Sequence, residues 1–213
     1  MPLNQKNAQF WDRSARQYAA DPIKDMAGYE RTVERTRQWL KASDRVLEIG
    51  CGTGTTALKL APSVSHLLGT DISAAMIAIA QEKARAQSCA NADFMALPAE
   101  EAAARPGLYD AVLAFNLLHL VEDRETTLWG IRRALRPGGL FISKTPCLTE
   151  LNPVIRLAVP AMRLIGKAPF VSFFSAAALE ADVIGAGFTI LEQARHGTER
   201  KDLRLFLVAQ APT

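Results

Sequence analysis

The sequence predicts an α/β fold, a Rossmann-like three-layer sandwich in which helices cover both faces of a mostly parallel, seven-stranded sheet with an antiparallel last strand. Two observations support this class. Short apolar runs alternate with helical patterns between residues 45 and 144, which is typical of βαβ units. The segment Arg195 to Asp202 separates the last two predicted strands and is too short for a crossover helix, so the last strand must run antiparallel.

The N-terminal residues 1–41 carry a helical pattern that a turn near Asp21 and Pro22 interrupts. Aromatic and apolar residues recur along this segment at Phe10, Trp11, Tyr18, Tyr29, Val33, Trp39 and Leu40. We therefore expect an N-terminal helical cap rather than an additional strand.

The central part of the chain supplies the alternating elements. The predicted strands are 46–49, 66–70, 92–95, 109–115 and 140–144, and the predicted helices are 55–61, 74–86 and 124–135. A loop that contains Pro98 precedes the fourth strand, and Pro137-Gly138-Gly139 ends the last of these helices before the fifth strand. Parallel strands joined by helices bring their carboxyl ends to one edge of the sheet, where open α/β folds bind ligands.

The C-terminal part departs from this alternation of strands and helices. An apolar stretch at 148–174 is expected to form an insertion over the site, followed by a helix at 176–186 with Gly187 as its stop. Strands at 188–194 and 203–209 then pair as an antiparallel hairpin. With 213 residues and 49% hydrophobic content the chain can bury one sizeable core, so residues 1–213 are expected to form a single domain.

The insertion has a basic face. Arg156, Arg163 and Lys167 recur at intervals of seven and four in a helical pattern that Pro160 is expected to kink or split. Apolar residues fill the remainder, which predicts a lid that excludes water from a substrate. The basic edge would suit an anionic head group and peripheral contact with a membrane surface. The alternative is a packed cap whose three charges are only solvated.

Composition argues against several classes of protein. The formal charge of +3 is scattered rather than gathered in Lys/Arg blocks, so nucleic acid is not expected as a partner. The chain has no 18-residue apolar run and no secretory signal, and we expect a cytoplasmic protein. Cys51, Cys89 and Cys147 lack metal-ligand spacing, which predicts free thiols and no metal site. The sequence carries no signal for the oligomeric state.

The strongest functional signal is the segment Val46-Leu47-Glu48-Ile49-Gly50-Cys51-Gly52-Thr53-Gly54, a buried strand that runs into a glycine-rich turn. Gly50 and Gly52 lack Cβ atoms, so they can take positive φ and let a nucleoside lie against the main chain. Asp71 follows Gly50 by 21 residues, at the end of the second strand, where a carboxylate can accept hydrogen bonds from both ribose hydroxyls.

Two other interpretations of this segment stay open. In the first, Gly50 to Gly54 form only a tight strand-to-helix connection and Asp71 is an ordinary N-cap of the next helix. A nicotinamide-dependent oxidoreductase would instead require G-x-G-x-x-G with a pyrophosphate at the helix N-terminus. The spacing here is G-x-G-x-G with Thr55 at the third-glycine position, which favours a cofactor without phosphates.

With these residues the sequence resembles the class I S-adenosylmethionine-dependent methyltransferases, in particular the small-molecule branch that includes quinone-biosynthesis and phospholipid methyltransferases. The resemblance runs from Phe10 to the C-terminus. It rests on Phe10-Trp11-Asp12 with Tyr18, on the glycine-rich segment, on Thr70-Asp71-Ile72-Ser73 with Met76, and on the segments 109–119 and 135–140.

The resemblance implies a site for S-adenosylmethionine formed by Tyr18, Gly50, Cys51, Gly52, Asp71, Ile72, Met76, Ala99 and Asn116. The glycine-rich turn would offer its backbone to the cofactor, and Asp71 would hold the ribose. Ile72 and Met76 would flank the adenine, although a Met at this position is equally typical of a core. Asn116 would face the methionine portion, and Tyr18 would close over it.

Pro98 departs from the pattern of the family, which often places an acidic residue there to meet the adenine amino group. Recognition of adenine would then depend on the backbone of Ala99 or on Glu100.

No catalytic residue is assigned, because in-line methyl transfer from a sulfonium needs mainly a positioned acceptor and a dry pocket. His119 is the nearest candidate for a general base, but a histidine there can equally pack at the sheet edge. Methyltransferases that modify amino groups of nucleic-acid bases resemble one another in an Asn/Asp-Pro-Pro-aromatic turn, and this chain has Asn116-Leu117-Leu118-His119 in its place. The difference argues against DNA or RNA bases as acceptor. The expected function is methyl transfer to a small, lipophilic molecule. A noncatalytic S-adenosylmethionine-binding protein is the main alternative.

Overall fold

The computed structural model describes residues 3–104, 106–150, 162, 168–198 and 202–213. Its strands are β1 (Arg45–Ile49), β2 (His66–Asp71), β3 (Ala92–Ala96), β4 (Tyr109–Phe115), β5 (Leu135–Pro146), β6 (Thr189–Ala194) and β7 (Arg204–Gln210). Its helices are α1 (Leu3–Ala20), α2 (Met26–Trp39), α3 (Thr55–Leu60), α4 (Ala74–Ala86), α5 (Ala99–Ala102), α6 (Arg124–Ala134) and α7 (Ala176–Gly185).

The strands form one seven-stranded sheet in the order β3-β2-β1-β4-β5-β7-β6. The five strands from β3 to β5 in this order pair in parallel, whereas β7 pairs antiparallel with both β5 and β6. The predicted fold class and the predicted C-terminal hairpin are therefore confirmed. Val46, Leu47 and Ile49 of β1 are fully buried, as expected for a central parallel strand covered on both faces.

The order of the strands reverses beside β1, because the chain first adds β2 and β3 on one side and then β4 and β5 on the other. Such a reversal opens a crevice at the carboxyl ends of the neighbouring strands. The glycine-rich turn follows β1, Asp71 ends β2 and Asn116 follows β4. All three therefore meet at the same edge of the sheet.

The structure shows two local differences from the sequence prediction, and the first arises from a contact distant in sequence. Strand β5 begins at Leu135 rather than Leu140, because Leu135 already pairs with Tyr109 ahead of a register shift. The segment Pro137-Gly138-Gly139 consequently lies inside this strand. The loop expected after β3 contains the one-turn helix α5, which Pro98 precedes as N-cap.

The N-terminal segment forms two helices with a break after residue 20, as predicted. Helix α1 is attached to the start of α4 by Asp12, whose Oδ1 accepts hydrogen bonds from Ser73 Oγ at 2.6 Å and from Ala75 N at 3.1 Å. Helix α2 is attached to β6, because Arg35 Nε and Trp39 Nε1 both donate to the carboxylate of Glu192. The cap is thereby attached both to the start of the helix that follows β2 and to the edge strand β6.

Most of the predicted lid lies outside the described residues, including Arg156, Arg163 and Lys167. The part that is described packs near the site: Phe170 N donates to Asn7 Oδ1 at 3.2 Å, and Ser172 N donates to the His119 carbonyl at 2.8 Å. The lid therefore stays a prediction. Among the described helices, none has the length and apolar character that a membrane span requires.

Candidate functional site

The glycine-rich turn after β1 is left-handed at Gly50, Gly52 and Gly54, with φ of 68°, 54° and 72°. A Cβ atom on Gly52 would meet only Tyr18 Cε1, at 3.8 Å, so this part of the turn borders open space. A Cβ atom on Gly54 would instead lie 2.8 Å from the Cβ of Ala80, inside the core. Gly52 thus leaves room for a ligand, and Gly54 permits the packing beneath it.

Asp71 is anchored at the end of β2 by two backbone groups. Its Oδ2 accepts from Gly52 N at 3.0 Å, and its Oδ1 accepts from Ser73 N at 2.9 Å. Burial raises the pKa of Asp71, while these two hydrogen bonds oppose the shift. An ionised carboxylate has about four acceptor positions, so this fixed group can still accept hydrogen bonds from a ligand with two hydroxyls.

A cavity of about 890 Å³, including the space at its mouth, lies above the turn and the end of β2. Its lining combines apolar side chains with a few polar groups, as is usual for the binding site of a small molecule. Eight of the nine residues predicted to bind a cofactor line this cavity: Tyr18, Gly50, Gly52, Asp71, Ile72, Met76, Ala99 and Asn116. The structure therefore brings these eight residues together, whereas their contacts with a cofactor stay predictions.

Cys51 is placed apart from the other eight residues. Its N–H donates to the Thr70 carbonyl at 2.9 Å, and its carbonyl accepts from Gly54 N at 3.0 Å. The side chain is buried and borders a neighbouring cavity. Its backbone groups already have partners within the fold, so Cys51 shapes the turn instead of facing the first cavity.

One end of the cavity is apolar and suits a flat aromatic base. It is bordered by Ile72, Met76 and Leu97, and Met76 is almost fully buried. Ala99 begins helix α5, and amide groups in the first turn of a helix lack partners within the helix. Glu100, which is exposed, lines the same end. Both sequence-based candidates for adenine recognition therefore lie at the cavity.

Tyr18 projects from α1 over the glycine-rich turn. Its ring meets Trp11 edge to face, with ring centroids 6.2 Å apart. Burial, followed by the nearby charges of Asp71 and Glu48, raises the pKa of Tyr18, so its hydroxyl stays protonated. Asn116, which also lines the cavity, has a φ of 53°, a left-handed conformation that Asn tolerates better than most residues.

Glu48 is a buried acid that was not among the predicted site residues. It lies in β1 and is 2% exposed, and its Oε2 has no hydrogen-bond partner among the described residues. Burial, with a further contribution from Asp71, raises the pKa of Glu48 to about 8. The signal in the sequence was a single glutamate inside an otherwise apolar strand. Glu48 lies beneath the cavity linings rather than in them, and the raised pKa favours its protonated form near neutral pH.

Other lining residues come from places that local sequence patterns do not connect. They are Asn4, Asn7 and Trp11 of α1, Phe115 of β4, and Leu117, Leu120, Val121 and Glu122 of the following loop. His119 belongs to that loop but is not part of the lining. Burial lowers its pKa to about 4, and its Nδ1 has no partner among the described residues.

A second cavity adjoins the first, and the two share Tyr18, Phe115 and Asn116. The first is lined by the acids Asp71, Glu100 and Glu122 and, among the described residues, by no lysine or arginine; we call it the acidic cavity. The second is lined by the bases Lys24, Lys83, Lys144 and Arg204 and by the acids Asp21 and Asp25; we call it the basic cavity. The two cavities thus differ in the sign of their charge.

Comparisons with known proteins agree with this geometry. Residues 47–141 match the family model described as a methyltransferase domain. The chain is similar to a ubiquinone biosynthesis O-methyltransferase of Acinetobacter baumannii, with 27% identity over 159 residues, which cover 71% of this chain and 66% of that protein. The match thus spans just under two thirds of the length of this relative.

Two solved structures share the fold. One is the cyclase SpnF, with a TM-score of 0.78 and 19% identity over 100% of this chain and 98% of that chain. The other is the magnesium protoporphyrin IX methyltransferase of Synechocystis PCC 6803 with bound SAH, with a TM-score of 0.72 and 22% identity over 98% of this chain and 97% of that chain. At these identities the likeness establishes the fold alone.

Proposed function

We propose that this chain, which belongs to the class I S-adenosylmethionine-dependent methyltransferase family, binds S-adenosylmethionine in the acidic cavity and transfers its methyl group to a small, lipophilic acceptor. The observation that carries this proposal is the Asp71 carboxylate, fixed by Gly52 N and Ser73 N at the rim of the glycine-rich turn. Its free acceptor positions suit a ribose, and the turn beside it leaves the main chain accessible.

Different residues of the acidic cavity would contact different parts of the cofactor. Ile72, Met76 and Leu97 would enclose the adenine, with Ala99 N or Glu100 at its polar edge. Asp71 would accept from the ribose hydroxyls. Asp71 and Glu122 would place negative potential in the cavity that holds the positively charged methionine portion. Tyr18 and Asn116 would flank that portion at the border with the basic cavity.

The chain contributes to the transfer mainly by positioning and by exclusion of water. When bound, S-adenosylmethionine would supply an activated methyl group, to which a nucleophilic atom of the acceptor would bond in line as the carbon–sulfur bond breaks and S-adenosylhomocysteine leaves. Trp11, Phe115 and Leu117 surround this part of the acidic cavity with apolar surface. A water-poor site of this kind strengthens every electrostatic contact within it. Because His119 does not line either cavity, the protein offers no histidine base to the acceptor among the described lining residues.

A small, lipophilic acceptor is supported by two observations. The A. baumannii relative is named for O-methylation in ubiquinone biosynthesis. The basic cavity, which adjoins the methionine end, has apolar walls at Ile23, Val33 and Phe115. Such walls favour an acceptor that contributes apolar surface.

A noncatalytic or differently catalytic S-adenosylmethionine-binding protein is the second candidate. The observation in its favour is SpnF, a cyclase by name, which shares the fold across the whole chain. A shared fold does not determine the reaction. Turnover therefore has to be measured separately from binding.

The proposal is tested first by thermal unfolding with S-adenosylmethionine, S-adenosylhomocysteine and NAD. Ligands that bind the native state raise its melting temperature, so the first two should stabilise the protein and NAD should not. A screen with a labelled methyl donor against lipids, quinols, phenols and amines then tests transfer. Stabilisation by NAD alone would overturn the cofactor assignment, and cofactor binding without transfer to any acceptor would favour the second candidate.

A further inference from the structure

We propose that the basic cavity is the acceptor subsite and that Lys144, assisted by Arg204, binds a carboxylate on the methyl acceptor. This inference rests on the proposed function and narrows its substrate class to lipophilic molecules that carry a carboxylate. It starts from a lysine whose position in the fold is unusual. The proposal concerns binding and positioning of the acceptor, with no covalent role for Lys144.

Lys144 lies in β5, opposite Phe206 of β7, and is only 6% exposed. Its Nζ donates to Thr32 Oγ1 of α2 at 2.9 Å. Among the described residues, no carboxylate oxygen lies within 4.0 Å of this Nζ to form an ion pair. An ammonium group has three N–H donors, and burial of a charge without a counterion is costly. The group therefore retains donors for an anion that enters the cavity.

Arg204 adds a second positive charge on the same face of the sheet. It lies two residues from Phe206 along β7, and alternate residues of a strand point to the same face. Both side chains line the basic cavity. Arg204 Nε already forms an ion pair with Asp202 Oδ1 at 3.4 Å, so an anion that enters between the two cations would interact more strongly with Lys144 than with Arg204.

The acids that face Lys144 are occupied elsewhere. Asp202 Oδ2 accepts from Gly197 N at 2.7 Å, and its Oδ1 accepts from Arg204 N at 3.0 Å. Asp25 accepts from the backbone N–H groups of Gly28 and Thr198. The surrounding cations Arg31 and Arg204 offset part of the field of these two acids. The local charge thus leaves Lys144 without a direct counterion among the described residues.

Lys144 also lies close to the border between the two cavities, where the methyl group would pass from the cofactor to the acceptor. In the pairing of β4 with β5, Lys144 lies beside Phe115, and its carbonyl accepts from Asn116 N at 2.8 Å. Phe115 and Asn116 border both cavities. A carboxylate held at Lys144 would therefore leave the remainder of the acceptor free to extend past Phe115 toward the acidic cavity.

The experiment compares 2-naphthoate with its neutral methyl ester by calorimetry, in the presence of saturating S-adenosylhomocysteine. The proteins are the wild type, Lys144→Met, Arg204→Gln and the control Lys41→Met, which removes an exposed lysine outside both cavities. The wild type should bind the acid more tightly than the ester. Lys144→Met should weaken acid binding by about tenfold to a hundredfold, as for loss of a hydrogen bond to a charged group.

Ester binding and binding of S-adenosylhomocysteine should remain unchanged in Lys144→Met, and Lys41→Met should match the wild type. Arg204→Gln should cause a smaller loss of acid binding and gives an independent result if Lys144→Met does not fold. Equal binding of acid and ester by the wild type would overturn the inference, as would an acid preference that survives both Lys144→Met and Arg204→Gln. Failure of the wild type to bind S-adenosylhomocysteine would instead count against the proposed function.

Discussion

The acidic and basic cavities meet at Tyr18, Phe115 and Asn116, yet their walls are built differently. The predicted part of the acidic cavity consists of short segments at the ends of β1 and β2, where backbone N–H groups fix Asp71, while α1 and the loop after β4 complete its lining. The wall of the basic cavity around Lys144 is formed by side chains from α2, β5 and β7 that are far apart in sequence. In the proposed function, the first holds a cationic cofactor that family members share, and the second holds the acceptor that distinguishes them.

The difference indicates which properties each region can change. A substitution at the acidic cavity alters either the fold of the turn or the affinity for the cofactor. A substitution at the basic cavity is expected to alter the choice of acceptor while the cofactor still binds. Three substitutions test the acidic side of this division and a fourth tests a histidine outside both cavities; they are described from the largest expected effect to the smallest.

The largest effect is expected for Gly54→Ala, which acts on the core beneath the acidic cavity. The new Cβ would lie 2.8 Å from Ala80 Cβ and 2.9 Å from Phe94 Cε1, at a φ of 72°. We expect a loss of about 2 to 5 kcal/mol in the free energy of unfolding, from left-handed strain together with overpacking. Urea unfolding measures it.

The matched control is Gly107→Ala, which has a φ of 66° but no atom within 4 Å of the new Cβ. This variant should lose only the strain, about 1 kcal/mol. If both variants lose the same unfolding free energy, the close packing beneath the turn does not explain the need for glycine at position 54.

Asp71→Ala should have the next largest effect and should act on the cofactor. Removal of the carboxylate leaves ribose hydroxyls and the N–H groups of Gly52 and Ser73 without their acceptor, so S-adenosylhomocysteine should bind more weakly by about 1 to 3 kcal/mol. Calorimetry measures the affinity. Asp93→Ala removes an exposed carboxylate from β3 and should bind as the wild type does. An unchanged affinity in Asp71→Ala would remove this residue from the site.

Glu48→Gln should change the pH dependence of stability. Because the pKa of Glu48 is raised to about 8, the folded protein keeps a proton that the unfolded chain releases above its ordinary value of 4.5. The stability that this proton contributes is present at low pH and is lost as the pH rises through about 8. Relative to Glu48→Gln, the wild type should lose about 1 kcal/mol of unfolding free energy per pH unit between about pH 5 and pH 8.

Urea unfolding at several pH values measures this slope, and Glu82→Gln, at an exposed position on α4, should follow the wild type. Parallel profiles for the wild type and Glu48→Gln would mean that Glu48 is already ionised in the folded protein.

The smallest effect is expected for His119→Gln. With a pKa lowered to about 4, this histidine is neutral near pH 7 and is a weak base. It also lies outside the linings of both cavities. The rate of methyl transfer, measured with any acceptor found in the turnover screen, should fall by less than about tenfold. A loss of a hundredfold or more would identify His119 as a base after all.

The same two regions show what the sequence can predict. The turn after β1, the acid at the end of β2 and the C-terminal hairpin all follow from short patterns, because strand ends and tight turns depend on neighbouring residues. Eight predicted site residues consequently line one cavity. Cys51 differs because its N–H is bonded to Thr70 of the adjacent strand, a contact that spacing along the chain does not reveal.

The basic cavity could not be predicted, because its residues meet only in the folded chain. Lys144 stood at the end of a predicted strand, and the charge in an otherwise apolar run was its only signal. Thr32 lies 112 positions earlier and Arg204 belongs to another strand. The start of β5 at Leu135 could not be predicted for the same reason, because it depends on pairing with Tyr109, which is distant in sequence.

A crystal structure of the protein with S-adenosylhomocysteine tests the central claim most directly. The account predicts that the nucleoside lies in the acidic cavity, with both ribose hydroxyls within hydrogen-bond distance of the Asp71 carboxylate and the adenine between Met76 and Ala99. The sulfur should point toward the border formed by Phe115 and Asn116. A nucleoside bound in the basic cavity, or a ribose that does not contact Asp71, would contradict it.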